Sequence, residues 1–152
     1  NEVLSRIVDD LEITVNEKKA NINIGELPVI NGIMGQMHQL FQNLISNALK
    51  FTGLEGASIT ITQRPISKIL EKELHINAND YVCVSVKDNG IGFEDIYKEK
   101  IFGIFQRLHG NNFEGTGIGL AICKKIVENH KGFLTAQSTL QKGAEFFIVL
   151  PV

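Results

Sequence analysis

Apolar residues recur along the chain with two distinct periods. Val3, Leu4, Ile7, Val8, Leu11 and Val15 fall at helical spacing and predict an amphipathic helix over residues 2–19. Ile22 and Ile24 predict a short strand before the break at 25–28, and Val29 with Ile30, ahead of Gly32, is a further strand candidate. The helical period returns through Met37, Leu40, Phe41, Leu44, Ile45 and Ala48, predicting a long helix over 33–51. Over 57–64, Ile59 and Ile61 alternate with Thr60 and Thr62, the pattern of a half-exposed strand. Residues 65–80 are polar and mixed and read as a hairpin excursion, whereas the β-rich run 81–87 predicts a central strand. Short helical turns come next through 101–105, and a Gly- and Asn-rich mobile loop is expected over 106–117. Residues 118–130 are helical, with Ile122, Ile126 and Val127 inward, and 133–138 with 145–150 make a closing hairpin around Lys142 and Gly143.

Neighbouring strands alternating with amphipathic helices predict an α/β (α+β) two-layer sandwich, a mixed sheet packed on one layer of about three helices. At 152 residues the chain fits one domain, 1–152, with no repeat, linker or low-complexity tract. Hydrophobic residues make up 43% and charged residues 21%, which excludes a disordered chain. A net charge of -2 with scattered basic residues, paired only at Lys18-Lys19 and Lys124-Lys125, offers no nucleic-acid or membrane surface. Cys83 and Cys123 lie in apolar segments without metal-ligand spacing, which points to buried thiols in a reducing compartment. No apolar run reaches the ~18 residues of a membrane span, and any anchor of a membrane-bound parent is expected outside these residues. Asn1 falls inside a helical pattern, so the chain is expected to be an excised domain.

Three segments carry candidate chemistry. Gln39, Asn43, Asn47 and Lys50 share one side of the second long helix, beside its apolar stripe. Carboxamide oxygens can hold a hard cation such as Mg²⁺ without adding negative charge, and a lysine one turn on can meet phosphate oxygens. An ordinary solvated helix face would look the same. Asp88-Asn89-Gly90-Ile91-Gly92 comes directly after the central strand. Asn-Gly there is normally a hairpin signal, yet Phe93 to Ile96 open helical turns instead of a second strand. An acceptor-only carboxylate at a strand end suits the exocyclic amino group of adenine, with glycines allowing close approach of backbone. Gly115-Thr116-Gly117-Ile118-Gly119-Leu120 precedes a helix whose free amides and dipole favour phosphate. A Walker A loop fails because Thr116 stands where lysine is needed, and the dinucleotide fingerprint fails because Leu120 replaces its third glycine. The protein-kinase glycine loop fails on the same spacing, with no partner motifs. A merely flexible loop stays open.

Together and in order, these segments resemble the catalytic domain of sensor histidine kinases, within the wider Bergerat-fold ATPase superfamily. The family's N box is similar to Asn43-Leu44-Ile45-Ser46-Asn47-Ala48-Leu49-Lys50-Phe51, and its G1 box to the Asp88 to Gly92 turn. Its F box resembles Ile101-Phe102-Gly103-Ile104-Phe105, and its G2 box the Gly115 to Leu120 segment. The tail Ile126-Val127-Glu128-Asn129-His130-Lys131-Gly132 and the closing strand are also similar, so the likeness spans nearly the whole chain.

The resemblance implies the Bergerat ATP-binding fold, ATP and Mg²⁺ as cofactors, and phosphoryl transfer to a histidine. Asn43 would hold Mg²⁺, Asn47 would line the same pocket, and Lys50 would contact phosphate. Asp88 would accept from adenine, with Gly90 and Gly92 allowing close approach. Phe102 and Phe105 would anchor a lid whose Gly115, Thr116, Gly117, Gly119 and Leu120 follow the phosphates, and Arg107 would reach the γ-phosphate, with Gln106 beside it. The acceptor histidine is expected on helical dimerisation segments absent from the chain, and a response regulator receiver domain would take the phosphate onward. The fragment itself is expected to be monomeric and cytoplasmic, or the cytoplasmic part of a membrane-bound sensor. Ile33 stands where many relatives have Asp, a capping difference, and Ala144 replaces a frequent Ser or Thr near the adenine end. The four histidines, His38, His75, His109 and His130, share no constellation that would bind metal. Two other readings remain: an ATPase switch of the gyrase, chaperone or mismatch-repair kind, against which Gln39 replaces the hydrolytic glutamate, and an inactive nucleotide-binding module.

Overall fold

The computed structural model describes residues 1–53, 55–103 and 118–152. Five strands form one mixed sheet in the order β1-β2-β3-β5-β4. They are β1 (Asn21–Ile24), β2 (Ser58–Arg64), β3 (Tyr81–Asp88), β4 (Phe133–Thr139) and β5 (Gly143–Pro151). Only the β1–β2 pair is parallel; the other three pairings are antiparallel. The run expected as a central strand is indeed the middle one of five.

Register sets one face of the sheet apolar. Ile61, Val86, Phe146 and Ala136 stand opposite one another across four strands, and all four are buried. Three helices cover that row: α1 (Glu2–Asp10), α3 (Met34–Lys50) and α5 (Gly119–Asn129). Their buried residues are Leu4 and Ile7, then Met37, Leu40, Phe41, Leu44, Ile45, Ala48 and Leu49, and lastly Cys123, Ile126 and Val127. Helical and strand periods therefore meet in one core, the two-layer arrangement that removes both apolar faces from water.

Three expectations are corrected. The first helix breaks at Leu11, whose φ of -98° and ψ of 9° end α1, and restarts as α2 (Glu12–Glu17). Residues 29 and 30 form no strand, and Val29 is 96% exposed, so no pleated surface receives it. The 65–80 excursion is not a hairpin but a helix, α4 (Lys68–Leu74), with a 3₁₀ turn after it at Ala78–Asp80. Ser67 starts α4 by accepting a hydrogen bond from the Leu70 amide at 3.1 Å, and left-handed His75 ends it. The turns expected through 101–105 begin at Lys100–Phe102, after another at Asp95–Tyr97. The loop expected at 106–117 lies outside the described residues.

Candidate functional site

β3 delivers Asp88 to the end of the sheet, where the next residues turn back on three neighbours. On the β2 side, Asn89 donates its amide N–H to the Ser58 carbonyl at 3.2 Å, and its Oδ1 accepts from the Ser58 amide at 2.7 Å. On the α3 side, the Ile91 amide donates to the Phe51 carbonyl at 2.9 Å, where α3 ends. On the hairpin side, the Gln141 amide donates to the Ile91 carbonyl at 2.6 Å, and the Phe93 amide to Ser138 Oγ at 2.9 Å.

This docking gives the two glycines an intramolecular cause. A Cβ on Gly90 would strike the Phe51 carbonyl oxygen and come within 2.9 Å of Asp88 Oδ1. Gly92 sits at φ +59° with the oxygens of Thr139, Gly143 and Ser138 at 2.5, 2.7 and 2.8 Å from where its Cβ would be. Both therefore let the turn close on its own chain, whatever ligand it meets.

Asp88 is held in place by the same turn. Its Oδ1 accepts from the Gly90 amide at 2.8 Å and from the Ala144 amide at 3.3 Å. Both hydrogen bonds that the carboxylate accepts among the described residues land on Oδ1, which leaves Oδ2 to receive a donor from outside. Burial pushes the Asp88 carboxyl above its ordinary pKa, and the Gly90 and Ala144 amides pull it partly back. A half-buried carboxylate whose second oxygen accepts no hydrogen bond among the described residues suits recognition of an amino group. The sequence marks Ala144 only for a missing hydroxyl near the adenine end; what it contributes is its backbone N–H, so its contact with Asp88 does not depend on that hydroxyl.

The second half of the site lies on the seam between α3 and α5. Asn43 Nδ2 donates to the Gly119 carbonyl at 3.4 Å, in the first residue of α5. Two segments far apart in sequence, the polar stripe of α3 and the end of the glycine-rich segment, are thus brought together. Asn43, Asn47 and Lys50 are all half-buried on that helix, and Lys50 Nζ lies 5.4 Å from the centroid of the Phe51 ring. Leu120 is partly buried against the core. Phe102 is a core residue, edge-on to Phe146 at 6.2 Å between ring centroids, with Lys124 Nζ 5.9 Å from its ring. Phe105, Arg107, Gly115, Thr116 and Gly117 lie outside the described residues, as do Gln106 and His109.

Among the described residues no cluster of three or more His, Cys, Asp and Glu side chains could form a protein-only metal cage. His38 does meet a carboxylate, Asp10 Oδ2 at 3.3 Å, as a partly exposed pair. Neutral carboxamide oxygens suit a hard cation whose other ligands are phosphate oxygens and water. With its nitrogen turned to Gly119, Asn43 could offer its oxygen to such an ion. The thiols are buried; burial pushes Cys83 up to about 11 and Cys123 up to about 12. A groove on the far face of the sheet, lined by Arg64, Ile69, Glu145 and Phe147, shares no residue with this site.

Residues 32–152 match the family described as histidine kinase-, DNA gyrase B-, and HSP90-like ATPase. Cyanobacterial phytochrome A of Nostoc sp. is 40% identical over 150 residues, covering 98% of this chain and 18% of that protein. The chain thus spans less than a fifth of that relative's length. Among solved structures, the catalytic domain of histidine kinase ThkA, in a nucleotide-free form, has a TM-score of 0.75 at 26% identity. That likeness covers 99% of this chain and 92% of the ThkA chain. Full-length ShkA in complex with AMPPNP has a TM-score of 0.77 at 26% identity, covering 99% of this chain and 29% of that one.

Proposed function

Because the chain belongs to the histidine kinase-, DNA gyrase B- and HSP90-like ATPase family and has the fold of histidine kinase catalytic domains, we propose that it binds Mg-ATP and transfers the γ-phosphate to a histidine on a separate helical dimerisation domain. The phosphate then passes to a response regulator receiver domain, as two-component signalling requires, and residues 1–152 act as one cytoplasmic catalytic domain. No helix among the described residues is long and apolar enough to cross a membrane.

One observation carries the reading: an aimed carboxylate at the end of β3 and an Asn-bearing helix meeting the N-terminus of α5 are built into one fold. Asp88 Oδ2 accepts from the adenine amino group, the contact that distinguishes adenine from guanine at that edge. Asn43 holds Mg²⁺ through its oxygen, Asn47 lines the same pocket, and Lys50 meets phosphate oxygens as a point charge. Gly119 and Leu120 present the first amides of α5 to the phosphates. Mg²⁺, when bound, neutralises charge on the transferring phosphoryl group. Gly115, Thr116 and Gly117 follow the phosphates in the lid of this scheme, Phe102 and Phe105 anchor it, and Arg107 reaches the γ-phosphate. The protein's own work is positioning, since a neutral acceptor imidazole brings its own lone pair and needs no strong base.

The test combines the chain with Mg-ATP and a helical acceptor domain in trans, and monitors acid-labile phosphohistidine. Phosphorylated acceptor is expected, with little ATP turnover in its absence. Vigorous hydrolysis by the chain alone would favour an ATPase switch, and nucleotide binding without transfer would favour an inactive binding module.

A further inference from the structure

The seam between α3 and α5 carries a contact that the nucleotide reading does not use. His130 comes directly after the last residue of α5, and both its ring nitrogens are engaged. Nε2 lies 3.1 Å from the amide nitrogen of Ile33, the residue that caps the start of α3. Nδ1 lies 2.8 Å from the Ile126 carbonyl oxygen, one turn back on α5. A backbone N–H can only donate and a carbonyl can only accept, so the two partners dictate the ring's protonation. Nε2 holds the lone pair and Nδ1 the proton, a single neutral tautomer.

The ring has little freedom to leave this position. Its own amide donates to Ile126 and Val127 carbonyls at 3.2 and 3.1 Å, and left-handed Lys131 then turns the chain towards β4. On the other side Gly32 packs against the ring, and a Cβ there would stand 3.4 Å from both Cδ2 and Nε2. Two further polar contacts continue the seam. Cys123 Sγ donates to the Leu40 carbonyl at 3.6 Å, and Asn43 Nδ2 donates to the Gly119 carbonyl at 3.4 Å. Positions 33, 40 and 43 of one segment thus meet 130, 123 and 119 of the other, an antiparallel ladder. His130 closes the end away from the phosphates. Ten residues at the helical rise separate Ile33 from Asn43, about 15 Å, so the ring cannot touch ligand itself.

Resting on the Mg-ATP reading above, we propose that His130 is a positioning residue: as the neutral Nδ1–H tautomer it ties the start of α3 to the end of α5. By fixing the sliding register of the two helices it fixes the separation of Asn43 from Gly119, and with it the phosphate end of the pocket. Ile33 has no capping side chain, and the imidazole takes over the first free amide that an Asp would have left to itself.

Substitutions can separate register from mere stability. Gln places a carbonyl oxygen near the position of Nε2 and keeps an amide donor. Asn reaches only as far as Nδ1, so it can serve Ile126 but not Ile33. Calorimetric titration with Mg-AMPPNP is expected to give near wild-type affinity for His130→Gln. A loss of about threefold to tenfold is expected for His130→Asn and His130→Ala. Ile61→Val, in the core of β2, serves as a control that lowers melting temperature without touching the seam. Nitrogen-15 spectra of the wild-type ring should show a protonated Nδ1 and an unprotonated Nε2. Wild-type binding with equal affinity for the Asn, Ala and Gln variants, or an Nε2–H tautomer, overturns the positioning role alone. An affinity loss in Ile61→Val that matches the loss in His130→Asn reduces the role to stability and overturns it too. Should the wild-type chain fail to bind the analogue, the nucleotide reading falls, and the positioning role falls with it.

Discussion

At one end of the pocket Asp88 is held by backbone: two amides grip its Oδ1, and its turn is locked to β2, to the last residue of α3 and to the β4–β5 hairpin. At the other end Asn43 reaches the first residue of α5 through one long side-chain contact of 3.4 Å, on a seam of two helices. The first end is built before any ligand arrives, because its geometry comes from strand pairing and from glycines that fit nothing larger. The second end is set by how two helices lie against each other, so it responds to small displacements that the sheet would resist. Under the proposed function, selection of the base and placement of the phosphates would fall to parts of different stiffness.

The largest expected effect comes from substituting the glycines of the two ends. Gly92→Ala should cost about 3 kcal/mol or more, since the new Cβ meets three oxygens at a left-handed φ. Urea denaturation would measure it. Gly119→Ala should be tolerated within about 0.5 kcal/mol, because among the described residues its Cβ meets only Asn43 Cγ at 3.9 Å and alanine favours helix. Equal losses at both positions would erase the contrast in stiffness.

Asp88→Asn tests the base end more finely. The Asn oxygen can keep both amide contacts, while its nitrogen would confront the adenine amino group donor to donor. Affinity for a nonhydrolysable ATP analogue should fall by ~1.5–3 kcal/mol, roughly tenfold to over a hundredfold. Stability should move the other way. A carboxyl whose folded-state pKa is raised contributes stability that is fully present below its unfolded pKa and lost as pH rises through the folded value. At neutral pH the unliganded Asn variant should therefore melt above wild type. At about pH 3, below the ~3.9 of an unfolded aspartate, that advantage should vanish. An unchanged affinity would refute the adenine contact.

Asn43→Ala should act more gently, by ~0.5–1.5 kcal/mol or about twofold to tenfold in affinity. Its signature is qualitative: the ratio of affinities measured with Mg²⁺ and with chelator should approach one. Metal dependence that survives the substitution would remove Asn43 from the cation.

The fold and the site are legible in the sequence where one period or one motif dominates. The apolar stripe of α3, the alternation in β2 and the β-rich run of β3 announce themselves, and the Asp88 turn is separable from a hairpin because Phe93 to Ile96 lack the alternation of a second strand. The break at Leu11 is not legible, because the apolar spacing runs through it without Gly or Pro. α4 escapes because its seven residues bury nothing and Ile69 is 72% exposed, although Ser67 with Glu71 is a usable start signal. The glycines of the turn read as room for a ligand, whereas their nearest claimants are oxygens of the same chain. His130 looks isolated in sequence since its partners are a backbone amide 97 positions away and a carbonyl on its own helix. Backbone contacts of that kind leave no residue pattern to read.

The smallest expected effect compares the two thiols, one in each region. Cys83 lies in β3 and Cys123 in the α3–α5 seam, and burial pushes them up to about 11 and about 12. Both should stay protonated at pH 8 and resist alkylation while the surrounding structure is closed, because the thiolate is the nucleophile. Labelling then reports opening. Cys83 points to the other face of the sheet, beside Arg64 and Glu145, so its reaction requires the cover of that face to lift and not the seam to open. Reaction of Cys123 requires only that the two helices separate around its 3.6 Å contact with Leu40. Saturating Mg-nucleotide should therefore slow Cys123, by a few-fold, while leaving Cys83 unchanged. Mass spectrometry of timed maleimide reactions would resolve the two sites. Equal protection by nucleotide at both thiols would mean that seam and sheet respond to the ligand as one unit and that the phosphate end is as stiff as the base end.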